Sequence, residues 1–244
     1  MSLASQPDPS VAVPRAMLDL ADGPVTLVWL NEVGGLTGRV HGADPRFIKW
    51  NPLGSGESLA AEADRLRWLE GRHPAPIVRG FMIDGDAELL VTGAIPGSSA
   101  VANEWAARPE NAVRAIAQGL RALHALPIAE CAYEWGVDSR ITAAESRGVS
   151  VPGDLRAAPA IDRLVVCHGD ACAPNTLLDG AGRFAANVDF GRLGVADRWA
   201  DLAVATMSLG WNYNDYDEGL FWQTYGIDPD PQRIDYYRAL WNAT

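Results

Sequence analysis

The chain has 244 residues, 48% of them hydrophobic and 21% charged, and a formal net charge of −11. This is globular material, long enough for one large core or two small lobes. The acidic balance argues against a nucleic-acid partner, since nothing basic would neutralise phosphates; it is compatible with a cationic ligand, although solubility alone accounts for it.

No stretch reaches the length of a membrane span, so no membrane association is expected. Met1 to Pro14 is rich in Ser, Pro and Ala, with no basic start, and is expected to be a flexible tail rather than a targeting segment. Three cysteines, Cys131, Cys167 and Cys172, form an odd set without metal-type spacing. Reduced thiols and a cytoplasmic location follow.

Val25 to Leu30 predicts a strand. A turn containing Gly34, Gly35 and Gly38 follows, able to lay backbone N–H groups over phosphates or to serve as an ordinary hairpin. Arg46 to Trp50 is the next strand and holds Lys49, the only lysine in the chain. Ser58 to Glu70 predicts a helix stopped by Gly71. Leu59, Leu66 and Leu69 share its apolar face, and Glu62 falls on that same face. An inward carboxylate needs a partner, and Lys49 can supply one.

Asp84-Gly85-Asp86 predicts a hairpin between Ile77–Met82 and Glu88–Thr92, and the run through Thr92, Gly93 and Ala94 into Pro96 and Gly97 suits a linker between lobes. Asn111 to Ala125 carries Val113, Ile116, Leu120 and Leu123 on one stripe and predicts a buried helix. Ala132 to Ile161 is polar and weakly periodic; Glu134, Asp138 and Glu145 there are candidates for ammonium contacts or for a solvated face. Trp211 to Thr244 is aromatic and acidic, with Asp215, Asp217 and Glu218. Pro231 opens the closing helix.

The chemistry concentrates between Leu164 and Asp201. An apolar run, Leu164 to Cys167, leads into His168-Gly169-Asp170; Asn175 follows five positions after Asp170. Thr176 to Leu178 and Phe184 to Val188 flank an Asp179-Gly180 turn signal and deliver Asp189-Phe190-Gly191. One carboxylate to orient an attacking hydroxyl, with an amide oxygen and a second carboxylate to hold Mg2+ on phosphates, is what nucleotide-dependent phosphoryl transfer requires. Asp170 is the candidate base, and Asn175 and Asp189 are the candidate metal ligands. Only twelve positions separate Asp189 from Asp201, too few for the long activation segment of a regulated protein kinase.

Cys167 to Asn175 (CHGDACAPN), Asp189 to Ala203 (DFGRLGVADRWADLA) and Tyr225 to Leu240 (YGIDPDPQRIDYYRAL) resemble the aminoglycoside phosphotransferase family, above all its 3′-hydroxyl enzymes. The resemblance implies an α+β, two-lobed protein-kinase-like fold, with a nucleotide-covering lobe over residues 15–95 and a helical catalytic lobe over 96–244. It implies ATP or GTP as co-substrate, Mg2+, and an aminoglycoside acceptor phosphorylated at its 3′-hydroxyl, with another amino-sugar or small alcohol, or a nucleotide-binding module without turnover, as alternatives. Lys49, held by Glu62, would bind phosphates. Gly34 and Gly35 would cover the nucleotide, and Thr92 and Ala94 would hold the adenine. Arg192, Asp197, Glu145 and Asp215 would face the acceptor. Asp201 would cap backbone N–H groups of the catalytic loop. A monomer or weak dimer is expected.

Overall fold

A computed structural model describes residues 7–244. The expected flexible tail falls in part on residues 1–6, which lie outside the described residues. Val11 and Val13, by contrast, pack against the apolar cluster of Met17, Leu36, Val40, Ile48 and Leu89. The chain divides into two compact units: residues up to Gly71 with Ala75–Ile95, and Arg72–Pro74 with Pro96–Thr244.

The first unit begins with a short helix, α1 (Arg15–Leu20), absent from the sequence expectation. Strands β1 (Val25–Leu30), β2 (Leu36–Val40) and β3 (Arg46–Pro52) follow, then helix α2 (Leu59–Leu69) and the hairpin β4 (Val78–Asp84) and β5 (Ala87–Gly93). The antiparallel sheet runs in the order β1-β2-β3-β5-β4, which makes β3 central. Lys49 lies in β3 between Thr37 of β2 and Leu90 of β5, so its backbone is held on both sides. Ser58 caps α2 by accepting the Ala61 N–H, and the Glu88 carboxylate accepts the Leu59 N–H at 2.6 Å. Those two acceptors fix the start of the helix and therefore the inward phase of Leu59, Glu62, Ala63, Leu66 and Leu69.

The second unit contains β6 (Ser98–Ser99), α3 (Asn103–Ala106), α4 (Pro109–Leu123), α5 (Val137–Ser146), β7 (Leu164–Cys167), β8 (Thr176–Leu178), β9 (Phe184–Asn187), β10 (Gly194–Asp197), α6 (Trp199–Asn212), α7 (Glu218–Tyr225) and α8 (Pro231–Ala243). β7 pairs with β10, and β8 sits between β6 and β9. The core gathers Ile116 and Leu120 of α4, Leu202 and Leu209 of α6, Phe221 of α7 and Leu240 of α8. The β8–β9 turn is longer than Asp179-Gly180 alone suggests. Asp179 Oδ1 accepts the N–H groups of Ala181 and Arg183, and Gly182 takes the left-handed conformation at φ +78°. α5 forms in the stretch read as polar and weakly periodic, and it buries Arg140, Ile141 and Ala144.

Candidate active site

β7 is buried beyond its first residue and delivers His168, Gly169 and Asp170 at its C-terminal end. The loop there is fixed by one carboxylate. Asp201, fully buried on α6, accepts the His168 N–H at 2.6 Å and the Gly169 N–H at 3.0 Å. His124 Nε2 meets the same carboxylate at 3.0 Å, and its Nδ1 meets the Tyr225 hydroxyl at 2.8 Å. Burial opposes ionisation of Asp201, but the His124 hydrogen bond and the backbone donors outweigh it and hold its carboxyl below the ordinary value. Gly169 is required on steric grounds: φ is +85°, and a Cβ would lie 2.0 Å from the Arg192 carbonyl oxygen. The loops carrying Asp170 and Arg192 therefore touch backbone to backbone.

Asn175 donates from Nδ2 to the Asp170 carbonyl at 3.0 Å and to Asp170 Oδ2 at 3.2 Å. That spends the amide nitrogen on Asp170 and turns Asn175 Oδ1 the other way. Asp170 Oδ1 is buried and has no hydrogen-bond partner. An orphaned carboxylate oxygen is costly unless a ligand proton or cation satisfies it. The Val188 N–H donates to the Asn175 carbonyl at 2.9 Å, which brings the β9 end, and Asp189 with it, beside Asn175. Asp189 has φ +68°, the only positive φ outside glycine among the described residues. Such strain, of order 1–3 kcal/mol, persists where the surroundings over-determine it. Here the anchor is Phe190, fully buried, with its ring 4.5 Å from that of His168 and 6.1 Å from that of His73. Asn175 and Asp189 thus offer hard oxygen donors from neighbouring strand ends, a donor set that suits Mg2+.

In the first unit, Lys49 Nζ lies 2.8 and 2.9 Å from the two carboxylate oxygens of Glu62. Glu62 is 4% exposed, so this is an inward ion pair.

Other expected contacts come out differently. Asp197 is 4% exposed, with Oδ2 taking the Asp162 N–H and Oδ1 the Trp199 N–H. Its carboxylate holds the β10–α6 corner. Glu145 is paired with Arg156 on the outer side of α5. In the Gly-rich turn, the Gly35 and Val33 N–H groups donate to Asn31 Oδ1 and the Gly34 N–H to the Asn31 carbonyl. Gly34 and Gly35 close the turn on itself instead of presenting these amides to a nucleotide. The Ala94 N–H donates to the Pro45 carbonyl, and Thr92 lies within the ladder opposite Phe47 and Val78. Asp215 is exposed in the loop after α6, and Arg192 is half-buried beside Gly169.

His124, Cys167 and Asp201 also bring buried ligand-type atoms within 4.8 Å of one another. They form a hydrogen-bond network rather than a metal centre. Both Asp201 oxygens and both His124 nitrogens already have partners, and burial pushes the Cys167 thiol upward, away from the thiolate a metal needs. Arg140 escaped sequence reasoning because a guanidinium in a polar stretch reads as surface. It is 3% exposed, with Nε and Nη1 unpartnered, and burial, reinforced by Arg192, lowers its pKa to about 10.

Residues 34–237 match the phosphotransferase enzyme family. An aminoglycoside 3′-phosphotransferase of Streptomyces fradiae is 37% identical over 78% of this chain and 81% of its own length. A streptomycin 3″-kinase of Streptomyces griseus is 33% identical over 87% and 90%. Among solved structures, an aminoglycoside 3′-phosphotransferase of type VIII superposes with a TM-score of 0.82 at 28% identity, covering 94% of this chain and 97% of that one. An aminoglycoside phosphotransferase of Streptomyces rimosus in complex with ADP and streptomycin gives 0.72 at 27% identity, over 92% and 94%.

Proposed function

This chain belongs to the phosphotransferase enzyme family, and from that premise we propose that it phosphorylates a hydroxyl of an aminoglycoside, the 3′-hydroxyl above all, with ATP or GTP as donor. It is a kinase with an alcohol acceptor. Asp170 orients the attacking hydroxyl and receives its proton. Asn175 and Asp189 hold Mg2+, which when bound neutralises charge on the β- and γ-phosphates. Lys49, kept in place by Glu62, binds phosphate oxygens as a point charge. Arg192 and Asp215 are the contacts we assign to the acceptor side.

The observation that carries this reading is the Asn175–Asp170 hydrogen-bond pair next to the left-handed Asp189. It leaves one Asp170 oxygen for a hydroxyl and one Asn175 oxygen for a cation. The fixed length between Asp189 and Asp201 supports a small acceptor. β10 fills that interval and pairs along β7, leaving no peptide-binding segment.

The test is ADP production, measured with a coupled assay against a panel that includes kanamycin and streptomycin, with Asp170→Ala as control. The reading expects at least one aminoglycoside to be phosphorylated by the wild type and none by the variant. A panel without turnover, in the presence of choline-like or simple amino-sugar acceptors that are turned over, would contradict it.

A further inference from the structure

We propose that a small cavity walled by Arg121, Arg163 and Arg198 binds a phosphate-bearing anion, at a site separate from the one at which transfer takes place. The assignment stands apart from the function proposed above, since none of Asp170, Asn175 and Asp189 lines this cavity. The cavity measures about 230 Å³ and is lined also by His124 and Tyr225. Pockets for drug-sized ligands run to about 300–1,000 Å³, so the occupant is smaller: inorganic phosphate, or the phosphate group of a short monoester.

Three segments bring the arginines together. Arg121 stands in the last turn of α4, three positions before His124, and so shares its side of the helix. Arg163 precedes β7, and Arg198 follows β10. The Arg198 N–H donates to the Arg163 carbonyl at 3.0 Å, which sets those two backbones side by side. The inner wall is preformed. The Tyr225 hydroxyl meets His124 Nδ1 at 2.8 Å, and His124 Nε2 meets Asp201 at 3.0 Å, all three residues being buried. A wall already fixed loses little freedom when a ligand arrives.

Charge selects the ligand. The chain carries a net charge of −11, yet three guanidinium groups converge on this one cavity. Arg198 is oriented by Asp162, whose Oδ2 accepts from its Nε at 2.6 Å and from the Trp199 indole at 2.8 Å. The two terminal nitrogens of Arg198 keep no hydrogen-bond partner among the described residues. Arg121 and Arg163 form no ion pair and no side-chain hydrogen bond among the described residues. The Asp201 carboxylate behind the wall is spent on His124 and on the N–H groups of His168 and Gly169. Like charges held together repel unless an anion lies among them. Guanidinium forks match phosphate oxygens in pairs, and forks from three segments suit a tetrahedral anion better than a planar carboxylate.

Isothermal titration calorimetry at fixed ionic strength, with Mg-ADP present to fill the nucleotide site, tests this on wild type, Arg163→Gln and the double variant Arg121→Gln/Arg163→Gln. The probes are inorganic phosphate and glycerol phosphate. Each should bind wild type at a single site, and affinity should fall about tenfold for each guanidinium removed. Both side chains are exposed, so a thermal melt is expected to show the variants folded. Phosphate should raise the melting temperature of wild type and not that of the double variant. Tighter binding of glycerol phosphate supports the site with a monoester as its occupant; equal or tighter binding of inorganic phosphate supports it with the free ion. No binding to wild type, an affinity in the double variant within twofold of wild type, or a melting temperature raised as much by chloride at the same ionic strength would overturn it. Failure of the wild type to phosphorylate any aminoglycoside would overturn the proposed function and leave the binding result for this site unchanged.

Discussion

Single buried ionisable groups set the shape of the catalytic loop and its response to pH. Asp201 takes the N–H groups of His168 and Gly169 and the ring of His124 on one carboxylate. Its folded pKa lies below the unfolded value of 3.8, so the stability it contributes is present above that value and is lost as pH falls through the folded one. Asp201→Asn keeps the shape but removes the charge from a fully buried network. A loss of about 3 kcal/mol in urea denaturation at pH 7 is expected, and a variant as stable as wild type would remove Asp201 from this role. His73 acts at higher pH. Burial lowers its pKa from 6.5 to about 4, against the raising effect of its hydrogen bond to Asn187. The unfolded chain takes up a proton below pH 6.5 that the folded chain refuses. Stability is therefore full above 6.5 and falls as pH drops toward 4, by about 3 kcal/mol across the whole window. His73→Gln should flatten that fall between pH 6.5 and 4.5. An unchanged slope would mean that other groups carry it.

Among the elements, β3 and α2 make the most exacting demand, because they hold one lysine against one glutamate. Lys49→Arg should lose most activity with circular dichroism unchanged: the planar guanidinium is longer and cannot occupy the same point between Glu62 and phosphate. Glu62→Gln should lose less, because the lysine remains. As Lys49 is the only lysine, an amine-selective reagent reads it directly, and Mg-nucleotide should protect it; an active Lys49→Arg enzyme or indifferent labelling would contradict the assignment. These elements were legible in the sequence because their signals are local. α2 shows a 3.6-residue apolar spacing, a serine at its start and Gly71 at its end. The spacing of Asp170, Asn175 and Asp189 was equally plain. α5 was hidden because its buried face includes Arg140, and a charged side chain breaks the apolar pattern. The partners of Asp197 and Glu145 were hidden for the converse reason. A carboxylate in a sequence does not reveal whether it faces a ligand, a backbone N–H, as Asp197 does, or an arginine, as Glu145 does. The amides of Gly34, Gly35 and Ala94 were illegible, since backbone hydrogen bonds leave no side-chain signature.

Across the whole molecule, net charge bears on how fast a charged acceptor arrives. A net charge of −11 should draw a polycationic acceptor. Its kcat/KM should therefore fall as salt rises from about 0.01 to 0.15 M, where the screening length shortens from about 30 to 8 Å; a neutral alcohol acceptor should show no such fall. The same acceptor becoming faster with salt would exclude steering. With β10 in place of an activation segment, the enzyme should be fully active without phosphorylation. The division of labour at the loop is the central claim, and one paired measurement tests it most directly: Mg-ATP affinity and kcat for Asp170→Asn and Asp189→Ala side by side. Asp170→Asn should lose about 10²–10⁴ in kcat while keeping wild-type Mg-ATP affinity, and Asp189→Ala should lose the Mg2+-dependent part of that affinity. A fully active Asp170→Asn, or Mg-ATP binding lost in Asp170→Asn and kept in Asp189→Ala, would contradict it.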